Sequence, residues 1–129
     1  MSKKKGRLEF LEMKRNGEKV TWITAYDFPT AMFAEAAGLD MILVGDSLGM
    51  VVLGYPGTME DCISHCRAVR RGAPNTFVMG DMPFGSYQAS DEQAVGNAVR
   101  FFKEADVDAV KLEGGVRVES RIKAIADSG

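Results

Sequence analysis

The sequence has little of what marks a specialised environment. Its two cysteines cannot build a disulfide framework. A net charge of −2, from 16 basic and 18 acidic residues, leaves no electrostatic footprint for nucleic acid or an acidic membrane surface. No apolar run approaches the roughly 20 residues that cross a bilayer. The N-terminus lacks the apolar core of a signal peptide. Its basic run, Lys3-Lys4-Lys5, is short and reads as a solvated tail. These absences lead to the expectation of a soluble, cytoplasmic protein with neither nucleic acid nor membrane among its partners.

What is present describes one domain. A chain of 129 residues that is 46% hydrophobic can bury a core of its own. The expectation is a single domain over 1–129, with a helix and lead-in over 1–19 and four βα units over 20–129. Leu8–Arg15 is helix-like and stops at Asn16-Gly17. Short apolar or β-branched runs at Val20–Ala25, Met41–Val44, Thr76–Met79 and Ala109–Leu112 predict strands. Between them lie helical patterns. Ala31–Ala37 has Pro29 near its start and Gly38 past its end. Met59, Cys62, Ile63, Cys66 and Val69 recur at helical spacing up to Gly72. Ser90-Asp91-Glu92-Gln93 reads as a capping box before Val95, Ala98, Phe102 and Ala105. Val118, Ile122 and Ile125 mark a last helix. Ala37-Gly38-Leu39-Asp40 before the second strand is echoed by Ala105-Asp106-Val107-Asp108 before the fourth. Alternation of this kind implies a parallel α/β sheet with right-handed crossovers. It fits an open doubly wound sheet or half of a (β/α)8 barrel, and composition does not choose between them.

Parallel sheets place their chemistry at the carboxyl ends of the strands. Here each such end carries an acid: Tyr26-Asp27, Asp46-Ser47, Gly80-Asp81 and Lys111-Leu112-Glu113. Carboxylates crowded on one rim repel each other, and a divalent cation relieves them. All-oxygen ligands favour Mg2+ or Mn2+ over zinc. Each acid also has a local reading. Asp27 can suit a helix dipole. Asp46 and Asp81 can be turn residues bonding nearby N–H groups. Lys111 shares a strand face with Glu113 and can pair with it, or it can await an anionic ligand. Cys62 and Cys66 fall on an apolar helical stripe and read as small hydrophobes, not metal ligands. His65 lies off that stripe, where it can pair with Asp61.

The stretches "TAYDFPTA", "AGLDMILVGDSLGMVVLGY", "CISHCRAVRRGA", "GDMPFGSYQ" and "AVKLEGG" together resemble the ketopantoate hydroxymethyltransferase family. That resemblance implies a (β/α)8 TIM barrel of the phosphoenolpyruvate/pyruvate-domain type, with about the first four βα units in this chain, usually assembled into decamers. It implies transfer of a hydroxymethyl group from 5,10-methylenetetrahydrofolate to 3-methyl-2-oxobutanoate, giving ketopantoate for pantothenate synthesis through a Mg2+-stabilised enolate. By resemblance, Asp46 and Asp81 are Mg2+ ligands with Glu113 at or near the metal. Asp46, Ser47, Asp81 and Lys111 are contacts to the keto acid, and Tyr26 lies at the same rim. The family's general base falls in its second half and matches no residue here. "GYPGTMED" is also shorter than the family's usual connection, between Thr58 and Met59. Two other readings stand beside the transferase: a non-catalytic half barrel that binds Mg2+ and keto acid or assembles with a partner, and a related Mg2+-dependent carbon–carbon lyase.

Overall fold

The structure is a computed structural model that describes residues 4–129. Strands β1 (Trp22–Thr24), β2 (Met41–Val44), β3 (Phe77–Asp81) and β4 (Ala109–Lys111) form one parallel sheet in the order β1-β2-β3-β4. Helix α1 (Arg7–Asn16) precedes them. Helices α2 (Phe28–Ala36), α3 (Met59–Gly72) and α4 (Asp91–Ala105) connect them, and α5 (Glu119–Asp127) follows. A π-helical turn over Gly49–Leu53 and a 3-10 turn over Gly115–Val118 were not foreseen by hydrophobic periodicity. No helix among the described residues is long and apolar enough to cross a membrane.

The strand order decides the architecture. Consecutive strands are neighbours, so right-handed crossovers bring every connecting helix to the same face. A doubly wound sheet reverses its order to cover both faces, and this one does not. The chain is a run of four βα units with barrel topology. Ile42, Val44 and Val78 are fully buried beneath Cys62, Cys66 and Val69 of α3 and Phe101 of α4. The opposite face carries Met41, Leu43, Phe77 and Met79, all half-buried, with Trp22 half exposed at its edge. Helix α1 lies across the start of the strands, where Phe10 meets Phe77 edge-on with ring centroids 5.2 Å apart.

Two glycines set how closely the layers approach. A Cβ on Gly80 would lie 2.6 Å from the Phe101 ring, so only glycine lets α4 pack behind the end of β3. Gly72 closes α3 as its last residue. A Cβ there would sit 2.4 Å from the Phe28 carbonyl oxygen, so its smallness serves the α2–α3 contact. The short connection before α3 is closed by a capping box in which Thr58 Oγ1 accepts from Asp61 N–H and Asp61 accepts from Thr58 N–H. At α4, Ser90 caps as expected. Gln93, however, reaches past it to accept from Ala89 N–H at 3.1 Å.

Within the N-terminal basic run, Lys4 and Lys5 form a tether and not a solvated tail. Lys4 pairs with Asp108 and Lys5 with Asp40, while Lys3 lies outside the described residues. This also explains the repeated Asp before β2 and β4. Asp40 accepts from Thr21 N–H at 2.7 Å, and Asp108 accepts from Val78 N–H at 2.8 Å. In each case the acid extends the strand pairing by one rung on the side chain. Buried Arg70 joins Asp108 to the carbonyls of Ala73, Thr76 and Asp106, locking the turns at that end of the sheet.

Burial opposes the charge on Asp40, but hydrogen bonds from Lys5 and Thr21 outweigh it and hold its carboxyl below the usual aspartate range. A carboxyl depressed in the folded state contributes stability above its unfolded pKa, about 3.9, and loses it as the pH falls through the folded value. Asp40→Asn is therefore expected to cost about 1–2 kcal/mol at neutral pH. That deficit should shrink below about pH 4. Urea-unfolding midpoints of the intact protein, measured across pH, check it.

Candidate functional site

Register places the central charges. Asp81 ends β3 directly opposite Lys111, the last residue of β4, so both side chains leave the sheet on one face, side by side. Lys111 Nζ lies 2.9 Å from each carboxylate oxygen of Asp81. Asp81 is only 4% exposed, and its Oδ2 also accepts from the Asp46 backbone N–H at 3.1 Å. The lysine thus pairs across strands with Asp81. Glu113, its same-strand candidate, lies past the end of β4.

Asp46 stands beside this pair, two residues beyond β2. Burial pushes its carboxyl above the ordinary aspartate range. The charge of Asp81 and a hydrogen bond to Asp81 push the same way, while Lys111 opposes. On Lys111 burial acts against the charge, yet hydrogen bonding to Asp81 and the charges of Asp81, Asp46 and Glu113 hold it above the usual lysine range. The site is a pair of facing carboxylates with one ammonium, and burial leaves the negative charge under-solvated. Gly45 precedes the site without crowding it: a Cβ there would lie 3.0 Å from Ser47 Oγ.

Ser47 Oγ and Tyr26 Oη lie 2.9 Å apart on the same rim. Tyr26 is anchored from α3: His65 Nδ1 lies 2.6 Å from the Tyr26 carbonyl oxygen, so that nitrogen carries the proton it donates. His65 therefore partners the end of β1, and Asp61 is taken up by Thr58 and by Tyr55 Oη. Asp27 takes its local role, capping α2 by accepting from Thr30 N–H at 2.8 Å. Cys62 and Cys66 are free and buried. Burial pushes the Cys62 thiol up to about 12 and raises Cys66 as well, so neither supplies a nucleophile.

Glu113 takes a different position from the two aspartates. Its charge reaches Asp46 and Lys111, but the residue is exposed. Beyond Lys111 the chain leaves the sheet, and the Glu113 backbone is held by Tyr87. Among the described residues no group of three or more His, Cys, Asp or Glu side chains is arranged to hold a metal ion. Asp46 and Asp81 supply two facing carboxylates, and Mg2+ commonly takes only one or two from a protein. Tyr87 and the role of His65 escaped sequence reasoning. A tyrosine in "GDMPFGSYQ" offers no charge or periodicity to single it out.

The family model described as ketopantoate hydroxymethyltransferase matches residues 5–129. The 3-methyl-2-oxobutanoate hydroxymethyltransferase of Alkaliphilus metalliredigens (strain QYMF) is 73% identical over 133 aligned positions, covering 100% of this chain and 47% of that protein. Those positions outnumber the chain's 129 residues, so the relative carries residues absent here. The chain spans about half the length of the curated relatives it matches. Among solved structures, phosphonopyruvate hydrolase in complex with oxalate and Mg2+ gives a TM-score of 0.74 at 14% identity, covering 97% of this chain and 49% of that one. A 2,3-dimethylmalate lyase of the PEP mutase/isocitrate lyase superfamily gives 0.66 at 17% identity, covering 95% and 49%. These likenesses fix the fold as about half of a (β/α)8 barrel. The match over residues 5–129 and the identity to curated relatives establish that the chain belongs to the ketopantoate hydroxymethyltransferase family.

Proposed function

We propose that the protein carrying this chain transfers a hydroxymethyl group from 5,10-methylenetetrahydrofolate to 3-methyl-2-oxobutanoate, forming ketopantoate for pantothenate synthesis in the cytoplasm. The observation that supports this most is buried Asp81 at the mouth of the parallel sheet, which holds Lys111 through both carboxylate oxygens and accepts from the N–H of Asp46, whose own carboxyl feels its charge. A keto acid presents two adjacent oxygens and one negative charge. The rim presents hard oxygen ligands for a cation and an ammonium for the charge.

Mg2+ fits this donor set. Asp46 is pushed up by burial and by Asp81, and a divalent cation held by both carboxylates removes that conflict. Asp46 and Asp81 would hold it, with Glu113 close by. The same fold holds Mg2+ with oxalate, another vicinal dioxygen ligand, in phosphonopyruvate hydrolase. When bound, the cation polarises the keto group and stabilises the negative charge that develops as the C3 proton leaves.

The chain's own residues bind and orient. Lys111, held charged, offsets the keto-acid carboxylate. Ser47 offers a hydroxyl to the same ligand, and Tyr26 fixes where that hydroxyl stands. Buried Asp81 keeps the Lys111 ammonium at the rim. We assign removal of the C3 proton to none of these. A lysine held protonated is no base, and the two aspartates are committed to the cation.

Two outcomes follow. Asp46→Ala and Asp81→Ala in the intact protein should each lower folate-dependent ketopantoate formation by roughly a hundredfold or more. Full activity in both variants would remove the metal assignment, and a carbon–carbon cleavage product formed without folate would favour the lyase reading. Lys111→Met should raise KM for the keto acid by about tenfold or more, the worth of one charged hydrogen bond. An unchanged KM would take Lys111 out of the substrate site.

A further inference from the structure

Backbone groups at the end of a strand need partners, and a buried side chain can stand in for the missing strand. The last rung between β3 and β4 is Met82 N–H to the Lys111 carbonyl, at 3.0 Å. Pro83 then turns the chain away and has no N–H to offer. Glu113, two residues beyond β4, is left without a neighbouring strand. One phenol fills both vacancies. Tyr87 Oη donates to the Glu113 carbonyl at 3.0 Å and accepts from the Glu113 N–H at 3.1 Å.

Tyr87 can do this because it is itself fixed. It is 3% exposed. Arg121 Nε reaches its carbonyl, while the same guanidinium bonds the Gln88 carbonyl and pairs with Asp91. Asn97 holds the carbonyl of Ser86. Past Glu113 the chain leaves the sheet through Gly114 and Gly115, both at positive φ, into the 3-10 turn over Gly115–Val118, so no strand pairing follows. Glu113 is thus an exposed carboxylate just off the end of the sheet, whose backbone N–H and carbonyl are both held by one hydroxyl.

We propose that Tyr87 is a positioning residue: its hydroxyl, acting as a one-atom strand, holds the Glu113 backbone so that the Glu113 carboxylate faces the Asp46–Asp81–Lys111 cluster. This rests on the reading that Glu113 serves that cluster. It adds the residue through which Glu113 is set in place.

The test uses the intact protein and three readouts. The first needs no variant: the Glu113 amide proton should exchange slowly with solvent, although its side chain is exposed. Fast exchange overturns the proposal and remains decisive should any variant fail to fold. The second is Tyr87→Phe, whose ring keeps the packing. It should lose the Glu113 amide protection with only a small change in unfolding midpoint. The third is deuterium exchange at C3 of 3-methyl-2-oxobutanoate without folate. Tyr87→Phe should lower its kcat by roughly tenfold with KM little changed. The double variant Tyr87→Phe/Glu113→Gln should be no slower than Glu113→Gln alone. A slow Glu113→Gln beside a wild-type Tyr87→Phe, or multiplying effects in the double variant, overturns the proposal. Glu113→Gln at the wild-type rate overturns the underlying place of Glu113 in the site, and the proposal with it.

Discussion

The structure turns on a carboxylate buried where a strand runs out. Asp81 keeps 4% of its surface, yet it sits where β3 stops pairing and the mouth of the sheet begins. A charge so placed needs counter-charge and donors. It has both: Lys111, by register from the next strand, and the Asp46 N–H, by a glycine turn from the previous one. Three adjacent strand ends are drawn together by one acid. Asp46 then stands beside a neighbour of its own sign, and that residual conflict is what the proposed cation would resolve.

The rest of the molecule keeps this arrangement in register. Gly80 brings α4 against the strand directly behind Asp81. At the opposite end, Asp40 and Asp108 add side-chain rungs to the strand pairs, and Arg70, Lys4 and Lys5 neutralise them. The charged groups at that end are fully committed to one another. At the rim only Asp81 and Lys111 are so paired: Asp46 is raised and Glu113 is exposed beside a glycine-rich turn. The tethering charges and the proposed site occupy opposite ends of the strands, as parallel βα units generally arrange stability and chemistry.

Much of this was legible in the chain. Met41–Val44 is a strand without a residue of error, because a buried parallel strand has no polar alternation to confuse it. Helix α3 was bounded by its stripe of Cys62, Cys66 and Val69, and α4 by Ser90. The acids at the strand ends were found because topology aims them at one rim. Other features were out of reach for definite reasons. Lys111 has Glu113 two residues away, whereas its partner Asp81 is thirty residues distant and adjacent only through register. The Gln93 bond to Ala89, the His65 bond to Tyr26 and the Tyr87 clamp on Glu113 all depend on where a backbone group is left unpaired. Residue type does not encode that. The tether made by Lys4 and Lys5 was missed because a lysine run carries no sign of the acids waiting across the fold.

The central claim is that Asp46 and Asp81 form a strained carboxylate pair that a divalent cation relieves. Titration of the Asp46 side-chain carboxyl by carbon NMR in the intact protein, with and without Mg2+, tests it most directly. The account predicts a carboxyl that titrates above the ordinary aspartate range in metal-free protein and well below it once Mg2+ is added. A carboxyl that titrates in the ordinary range and ignores Mg2+ would contradict it.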